Sequence, residues 1–272
     1  MLQNTFLHIP GIGETTERKL WNAGIVSWSD FVGAHDEGRL RGRKVEHAIG
    51  DVRESLLRYE AHDWNHFDRR LPSHQKWRAF GDLGDRALYV DIETTGMAGG
   101  DSITVIGTYD GRAAKSFVEG ENLDEALSEI ETHPLIVTYN GVQFDMPFIR
   151  DRFRRNLFNH VHVDLRFPLR RLGYSGGLKR IERMFGIGRS ARTQGLDGWD
   201  AVRLWREHLR GSREALDLLL EYNREDIVNL EPLMRFVFGE MARRTWGIGD
   251  EEGFSTIPHS PSLLRSPPRP AP

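Results

Sequence analysis

The 272-residue chain contains no cysteine. That excludes disulfide scaffolds, thiolate zinc sites, iron–sulfur clusters and cysteine nucleophiles. It has no apolar run approaching the roughly 18 residues that a membrane-crossing helix needs. Its opening segment, MLQNTFLHIPGIGE, lacks the basic stretch followed by an apolar core that marks an export signal. The expectation is a cytoplasmic protein with no membrane partner. Lysine is scarce, 5 residues against 32 arginines, so the cationic side chains are mostly planar forks suited to bidentate phosphate contacts. What is present is the composition of a globular chain: 39% hydrophobic, 10% aromatic and 28% charged. Such a chain buries a core, and its length allows one large domain or two smaller ones.

The net charge of −3 conceals a strong asymmetry. Residues 1–60 are nearly balanced at −1, residues 61–149 carry −8, residues 150–192 carry +9 and residues 193–272 carry −3. An acidic block beside a compact basic one suits a protein that holds cations next to a polyanion.

Hydrophobic spacing divides the chain. Residues 5–34 read as two short helices around a tight turn, and residues 43–62 as a third helix with Val45, Ile49, Val52, Leu56 and Tyr59 on one face. Residues 1–61 are therefore expected to form a small all-α module. Residues 62–80 have no clear period and read as a linker. From 81 to 245 the pattern becomes mixed. Strands are expected at 86–92, 103–109, 115–118, 135–139 and 161–165. Helices are expected at 123–131, 146–155, 177–185, 199–209 and 213–238. Asp110-Gly111 supplies a hairpin turn between the second and third strands. The fold class is α/β: three antiparallel strands plus parallel strands in one mixed sheet, flanked by helices. Residues 246–272 end in a proline- and serine-rich stretch without acids after Gly253, and the expectation there is disorder.

Four carboxylates stand out. Asp91 and Glu93, in YVDIETTG, are i and i+2 at the end of the first strand, so they point to the same side. Asp145, in TYNGVQFD, follows the fourth strand and opens a helix. Asp226, in EYNREDIVNL, lies in the last helix with Tyr222 one turn before it. Singly, each has an ordinary reading: a strand end, a helix N-cap, a solvated charge. Together they set carboxylates beside an apolar run, where burial without a partner is costly. A cation offsets that cost, and oxygen-only ligands suit magnesium or manganese.

In this order and spacing, DIETTG, NGVQFD and YNRED resemble the three motifs of the DEDD superfamily of 3′–5′ exonucleases on the ribonuclease-H-like fold. The third motif is Tyr-x3-Asp, Tyr222 to Asp226, which resembles the tyrosine subclass; the histidine version would need His where this chain has Glu221. LKRIERMFG and DGWDAVRLW resemble the YprB-like branch. The resemblance implies two divalent ions, Mg2+ or Mn2+. Asp91 would bridge both, Glu93 and Asp226 would hold the one that carries the attacking water, and Asp145 would support the one by the leaving oxygen. Two ions about 4 Å apart clamp an in-line phosphodiester displacement. Tyr222 would orient the water. Single-stranded or 3′-ended DNA is the expected partner, with RNA as the alternative, and nucleoside 5′-monophosphates the product.

Contacts to nucleic acid are expected from Thr94, Asn140, Phe144, Lys179 and Arg180, with Lys179 near a helix start where anions bind. Asn140 also reads as a turn residue, Phe144 as packing, and His160 and His162 as structural. Ile9-Pro10-Gly11-Ile12-Gly13 resembles the loop of a helix-hairpin-helix motif, with Gly11 and Gly13 freeing backbone amides for phosphates. A docking role for that module is the other reading. A non-catalytic nucleic-acid-binding protein and a ribonuclease-H-type endonuclease remain alternatives on the same fold.

Overall fold

The computed structural model describes residues 1–96, 102–155 and 158–247. The expected tail lies, past Gly247, outside the described residues.

Five strands form one sheet in the order β3-β2-β1-β4-β5. β1 (Ala87–Thr94), β2 (Ile103–Tyr109) and β3 (Ala114–Val118) are antiparallel neighbours, while β4 (Leu135–Thr138) and β5 (Val161–Asp164) run parallel to β1. The mixed sheet matches the sequence expectation. The hairpin between β2 and β3 is closed by Gly111 at φ +87° and by Asp110 Oδ1, which accepts from the backbone of Arg112 and Ala113 at 2.8 Å. This is the local side-chain mimicry that makes Asp-Gly a turn signal.

β1 alternates between two cores. Leu88, Val90 and Ile92 face one that also holds Met146 and Ile149 of α7 (Asp145–Phe153). Ala87 and Tyr89 face the other, which contains Leu230, Leu233 and Val237 of the 34-residue α11 (Arg213–Trp246). Period-2 alternation therefore carries Asp91 and Glu93 to the α11 side. A register shift between Glu93 and Thr94 ends the regular pairing with β2 just past these two residues.

The N-terminal helices are α1 (Glu14–Asn22), α2 (Trp28–Asp36) and α3 (Arg43–Glu60). Their apolar residues, among them Phe6, Ile9, Trp28, Phe31 and Val52, belong to the same core as Tyr89 and α11. Residues 62–80, expected as an aperiodic linker, are instead helical and buried. They form α4 (Trp64–Arg70) and a 3-10 helix (Ser73–Ala79), followed by the single turn α5 (Phe80–Leu83), and they bury Trp64, Phe67, Trp77 and Phe80. Elements this short carry too few residues to display a period.

The stretch is fastened through a buried ion pair. Arg78 Nη1 donates to both carboxylate oxygens of Glu17 in α1 at 2.9 and 3.0 Å. Glu17 Oε1 also accepts from the Phe6 amide at 2.7 Å and from Thr5 Oγ1 at 2.8 Å. The guanidinium lies 5.5–5.7 Å from the rings of Trp21, Trp77 and Trp246. α11 runs on past the expected end at residue 238 because Met241, Ala242 and Trp246 pack into this core, and it stops at Gly247 in the left-handed conformation.

The remaining helices are α6 (Ala126–Thr132), α8 (Arg166–Arg171), α9 (Leu178–Met184) and α10 (Gly198–Leu209). The six-residue α8 was not expected. No helix among the described residues is long and apolar enough to cross a membrane.

Candidate active site

The convergence on α11 follows from the pattern of β1. Asp91, Glu93 and Asp226 each offer an oxygen, and these oxygens lie within 4.8 Å of one another. Glu93 and Asp226 are buried and Asp91 is half-buried. Burial first, and the neighbouring carboxylates second, push the Asp91 carboxyl well above the usual range and that of Glu93 up to about 8. Three carboxylates gathered side by side, two of them pushed toward their protonated forms, make a site in want of a cation. An all-oxygen donor set of this size fits a hard divalent ion.

Asp145 sits beside this group, outside the 4.8 Å cluster. It is the first residue of α7, and its side chain does not cap that helix. β4 pairs with β1 only as far as Tyr89, opposite Val137. Asp145 Oδ1 accepts the amide of Ile92 at 3.2 Å, just beyond that point on the strand. The bond pins α7 to the backbone between Asp91 and Glu93. Burial raises the Asp145 carboxyl to about 7.

Tyr222 is buried one turn before Asp226. Burial, then Asp226, Glu93 and Asp91, push its phenol upward. It therefore stays a protonated donor at neutral pH, and its hydroxyl makes no hydrogen bond to the described residues. Lys179 Nζ lies 4.1 Å from its ring centroid and also contacts Asp226 Oδ1. The sequence reading placed Lys179 toward phosphate; the structure places it on the carboxylate site from the first turn of α9.

The other expected contact residues have local partners. Thr94 Oγ1 donates to the carbonyl of Gly96. Asn140 is in the left-handed region at φ 66°, and its amide donates to Asp164 Oδ1 at 2.8 Å. Its side-chain oxygen accepts from Arg166 at 2.5 Å. It shapes the turn that leads to Asp145. The Phe144 ring packs 5.0 Å from that of Phe148. Arg180 is exposed against Gly176. Gly11 and Gly13 are exposed in the loop before α1, and Gly11 adopts φ +80°. His160 and His162 are buried at the β5 edge, His162 Nε2 lying 2.8 Å from Thr138 Oγ1, and burial lowers both imidazoles.

Two residues of the site escaped the sequence reading. Asn223 Nδ2 donates to Asp91 Oδ2 at 3.0 Å. Arg189 contacts Asp226 Oδ1 while gripping Glu182, which is 2.5 and 2.8 Å away. Asn223 had a findable signal, being one residue after Tyr222 on the same helix. Arg189 had none, because it arrives from a loop between α9 and α10.

Half of the twelve basic residues at 150–192 are taken up in ion pairs. Arg152, Arg155, Arg171, Lys179, Arg189 and Arg192 all face carboxylates. Arg150, Arg154, Arg170, Arg180 and Arg183 are exposed, and their side chains carry no hydrogen bond or ion pair among the described residues.

Residues 88–237 match a family model, RNase_H_2, described as the RNase_H superfamily. Among solved structures, the chain resembles the family B DNA polymerase of the hyperthermophilic archaeon Pyrobaculum calidifontis at 17% identity and a TM-score of 0.44, covering 57% of this chain and 24% of the polymerase. It also resembles the Nibbler EXO domain of Aedes aegypti at 13% identity and a TM-score of 0.37, covering 62% of this chain and 85% of that one. No curated protein matches the chain at a significant level.

Proposed function

The chain belongs to the RNase H superfamily, and from that premise we propose that it is a divalent-metal-dependent 3′–5′ exonuclease, with single-stranded or 3′-ended DNA as the favoured substrate and RNA as the second. The observation that carries this reading is the meeting of Asp91, Glu93 and Asp226 within 4.8 Å, with Tyr222 one helical turn from Asp226. Asp91, Glu93 and Asp226 would hold Mg2+ or Mn2+, with Asp145 beside them for a second ion. When bound, such ions supply a water of lowered pKa and neutralise charge on the phosphate under attack.

The chain's own residues do the rest. Asn223 fixes the Asp91 carboxylate, and Asp145 fixes α7 against β1. Tyr222 keeps its proton and offers a hydroxyl that no described residue uses. It orients the attacking water as a donor or acceptor, and it does not take the proton itself. Lys179 meets the substrate backbone once its carboxylate is engaged elsewhere. Arg150, Arg154, Arg170, Arg180 and Arg183 are unpaired and available to phosphates.

The N-terminal segment supports two roles. The exposed amides of Gly11 and Gly13 donate to no described residue, which suits phosphate contacts of the helix-hairpin-helix kind. A core shared with α11, and the Glu17–Arg78 pair, favour docking as the second reading. Among the described residues, the element before the loop is a 3-10 turn (Leu2–Asn4).

The test of the assignment is substitution. Asp91→Ala and Asp226→Ala should each abolish cleavage while retaining oligonucleotide binding. Normal cleavage by both variants would dismiss the site.

A further inference from the structure

Among the described residues, Asp226 is the site carboxylate with cationic partners, and both meet a single oxygen. Both Lys179 and Arg189 reach Oδ1. Oδ2 accepts no hydrogen bond from the described residues. The two cations are held very differently. Lys179 is 32% exposed, and its contact with Asp226 is its sole ion pair among the described residues. Arg189 is 9% exposed and clamped.

The clamp is built in layers. Arg189 Nε and Nη2 straddle the two oxygens of Glu182 at 2.8 and 2.5 Å, a fork-on-carboxylate geometry that lysine cannot reproduce. Glu182 is itself buried in α9 and accepts from Asn229 Nδ2 at 2.9 Å. The loop carrying Arg189 is stapled along α11. The Ser190 amide donates to Glu225 Oε1 at 2.8 Å, Ser190 Oγ donates to Glu221 Oε1 at 2.7 Å, and Thr193 Oγ1 bonds Glu225. Glu221 and Glu225, one turn apart, are thus spent on holding this loop.

One nitrogen, Arg189 Nη1, is buried with no hydrogen-bond acceptor and lies 3.6 Å from Glu225 Oε2. A buried donor left unmatched costs stability. A residue kept at that cost is poorly explained by folding alone.

Resting on the metal-site reading above, we propose that Arg189 is a positioning residue of the metal site. From its clamp on Glu182 it occupies Oδ1 of Asp226 and so presents Oδ2 to the divalent ion. Partners behind a ligand fix its orientation, and their removal typically weakens metal binding about 10–100-fold.

The experiment is a Mn2+ titration of the full chain, read by electron paramagnetic resonance of the free ion, without substrate. Arg189→Met and Glu182→Gln should weaken Mn2+ binding about 10–100-fold, and Arg189→Lys should recover only part of the loss. Arg192→Met should bind as the unsubstituted protein does. It removes an exposed arginine from the same loop and leaves the clamp intact. Should Arg189→Met fail to fold, Arg189→Lys and Glu182→Gln carry the test, since both keep the buried volume. In all weakened variants, cleavage should return when Mn2+ is raised.

Unchanged binding in the Arg189 and Glu182 variants overturns the inference. So does tighter binding, which would make Arg189 a charge that opposes the ion. If the unsubstituted protein itself binds no Mn2+, the metal reading falls and this inference falls with it.

Discussion

The side-chain amide of Asn223 donates to Asp91 Oδ2 at 3.0 Å, and it does so through space that only a glycine leaves open. Gly107 of β2 faces Asp91 across the strand pair, and a Cβ there would stand 2.0 Å from Asn223 Oδ1. Gly107→Ala should therefore displace Asn223 and release Asp91. The expected result is weaker Mn2+ binding together with a loss of about 1–3 kcal/mol in stability from overpacking. Isothermal titration and urea unfolding measure the two. A variant that matches the parent in both would show that the strand pair yields without moving Asn223.

Metal binding should tighten as pH rises. Glu93, pushed up to about 8, and Asp145, at about 7, must lose protons before they can serve as ligands. The same shifts set the stability of the metal-free protein. Between their ordinary values of 4.5 and 3.8 and their raised ones, the folded state holds protons that the unfolded chain has released. Stability therefore falls as pH rises through that range. Buried histidines act the other way. His8, lowered to about 3, and His160, to about 4, add stability as pH climbs to 6.5 and nothing above it. The window from pH 6.5 to 8 is thus governed by the carboxylates. The melting temperature of the metal-free protein should drop across it, and saturating Mg2+ should suppress the drop. A melting temperature that rises across the window, with or without Mg2+, would contradict the assignment.

Tyr222→Phe should lower kcat while leaving Mn2+ affinity unchanged, because the hydroxyl has no partner among the described residues and the ring packs as before. Unchanged turnover would reduce Tyr222 to a packing residue.

Lys179→Ala should weaken oligonucleotide binding measured with metal present, and should lower the slope of log affinity against log salt by about 1. An unchanged slope would mean that Lys179 stays on Asp226 when substrate is bound.

Arg78→Met should cost about 3–5 kcal/mol, because it leaves Glu17 charged and buried without its counterion. Urea unfolding reads the loss, and limited proteolysis should then release the segment before α4 ahead of the sheet. A variant as stable as the parent would show that the Trp21, Trp77 and Trp246 rings hold the junction without the pair.

The sheet was legible because its strands alternate or run apolar for long enough to display a period, and because Asp110-Gly111 announces its own turn. The choice of Asp91, Glu93, Tyr222 and Asp226 as one expected site came from the resemblance of their motifs, and periodicity supplied only the pairing within each motif. Strand and helix periods alone bring i, i+2 and i, i+4 pairs to one side. The stretch from Trp64 to Leu83 was not legible. Its helices last seven residues or fewer, and its identity as core depends on Trp21 and Trp246, far away in the sequence. Arg189 was hidden by the same limit. Nothing in GIGRS announces a guanidinium that ends between Glu182 and Asp226, since loop geometry alone puts it there. The place of Lys179 over the Tyr222 ring was equally hidden, being a tertiary fact.

The central claim is end-directed, metal-dependent hydrolysis. The most direct measurement incubates the purified protein with 5′-labelled single-stranded DNA and RNA oligonucleotides in Mg2+, Mn2+ or EDTA, alongside a closed circular strand. The expected result is a ladder shortening from the 3′ end, abolished by EDTA and by Asp226→Ala, with the circle intact. Cleavage of the circle would assign an endonuclease, and binding of both linear strands without any cleavage would contradict the catalytic account altogether.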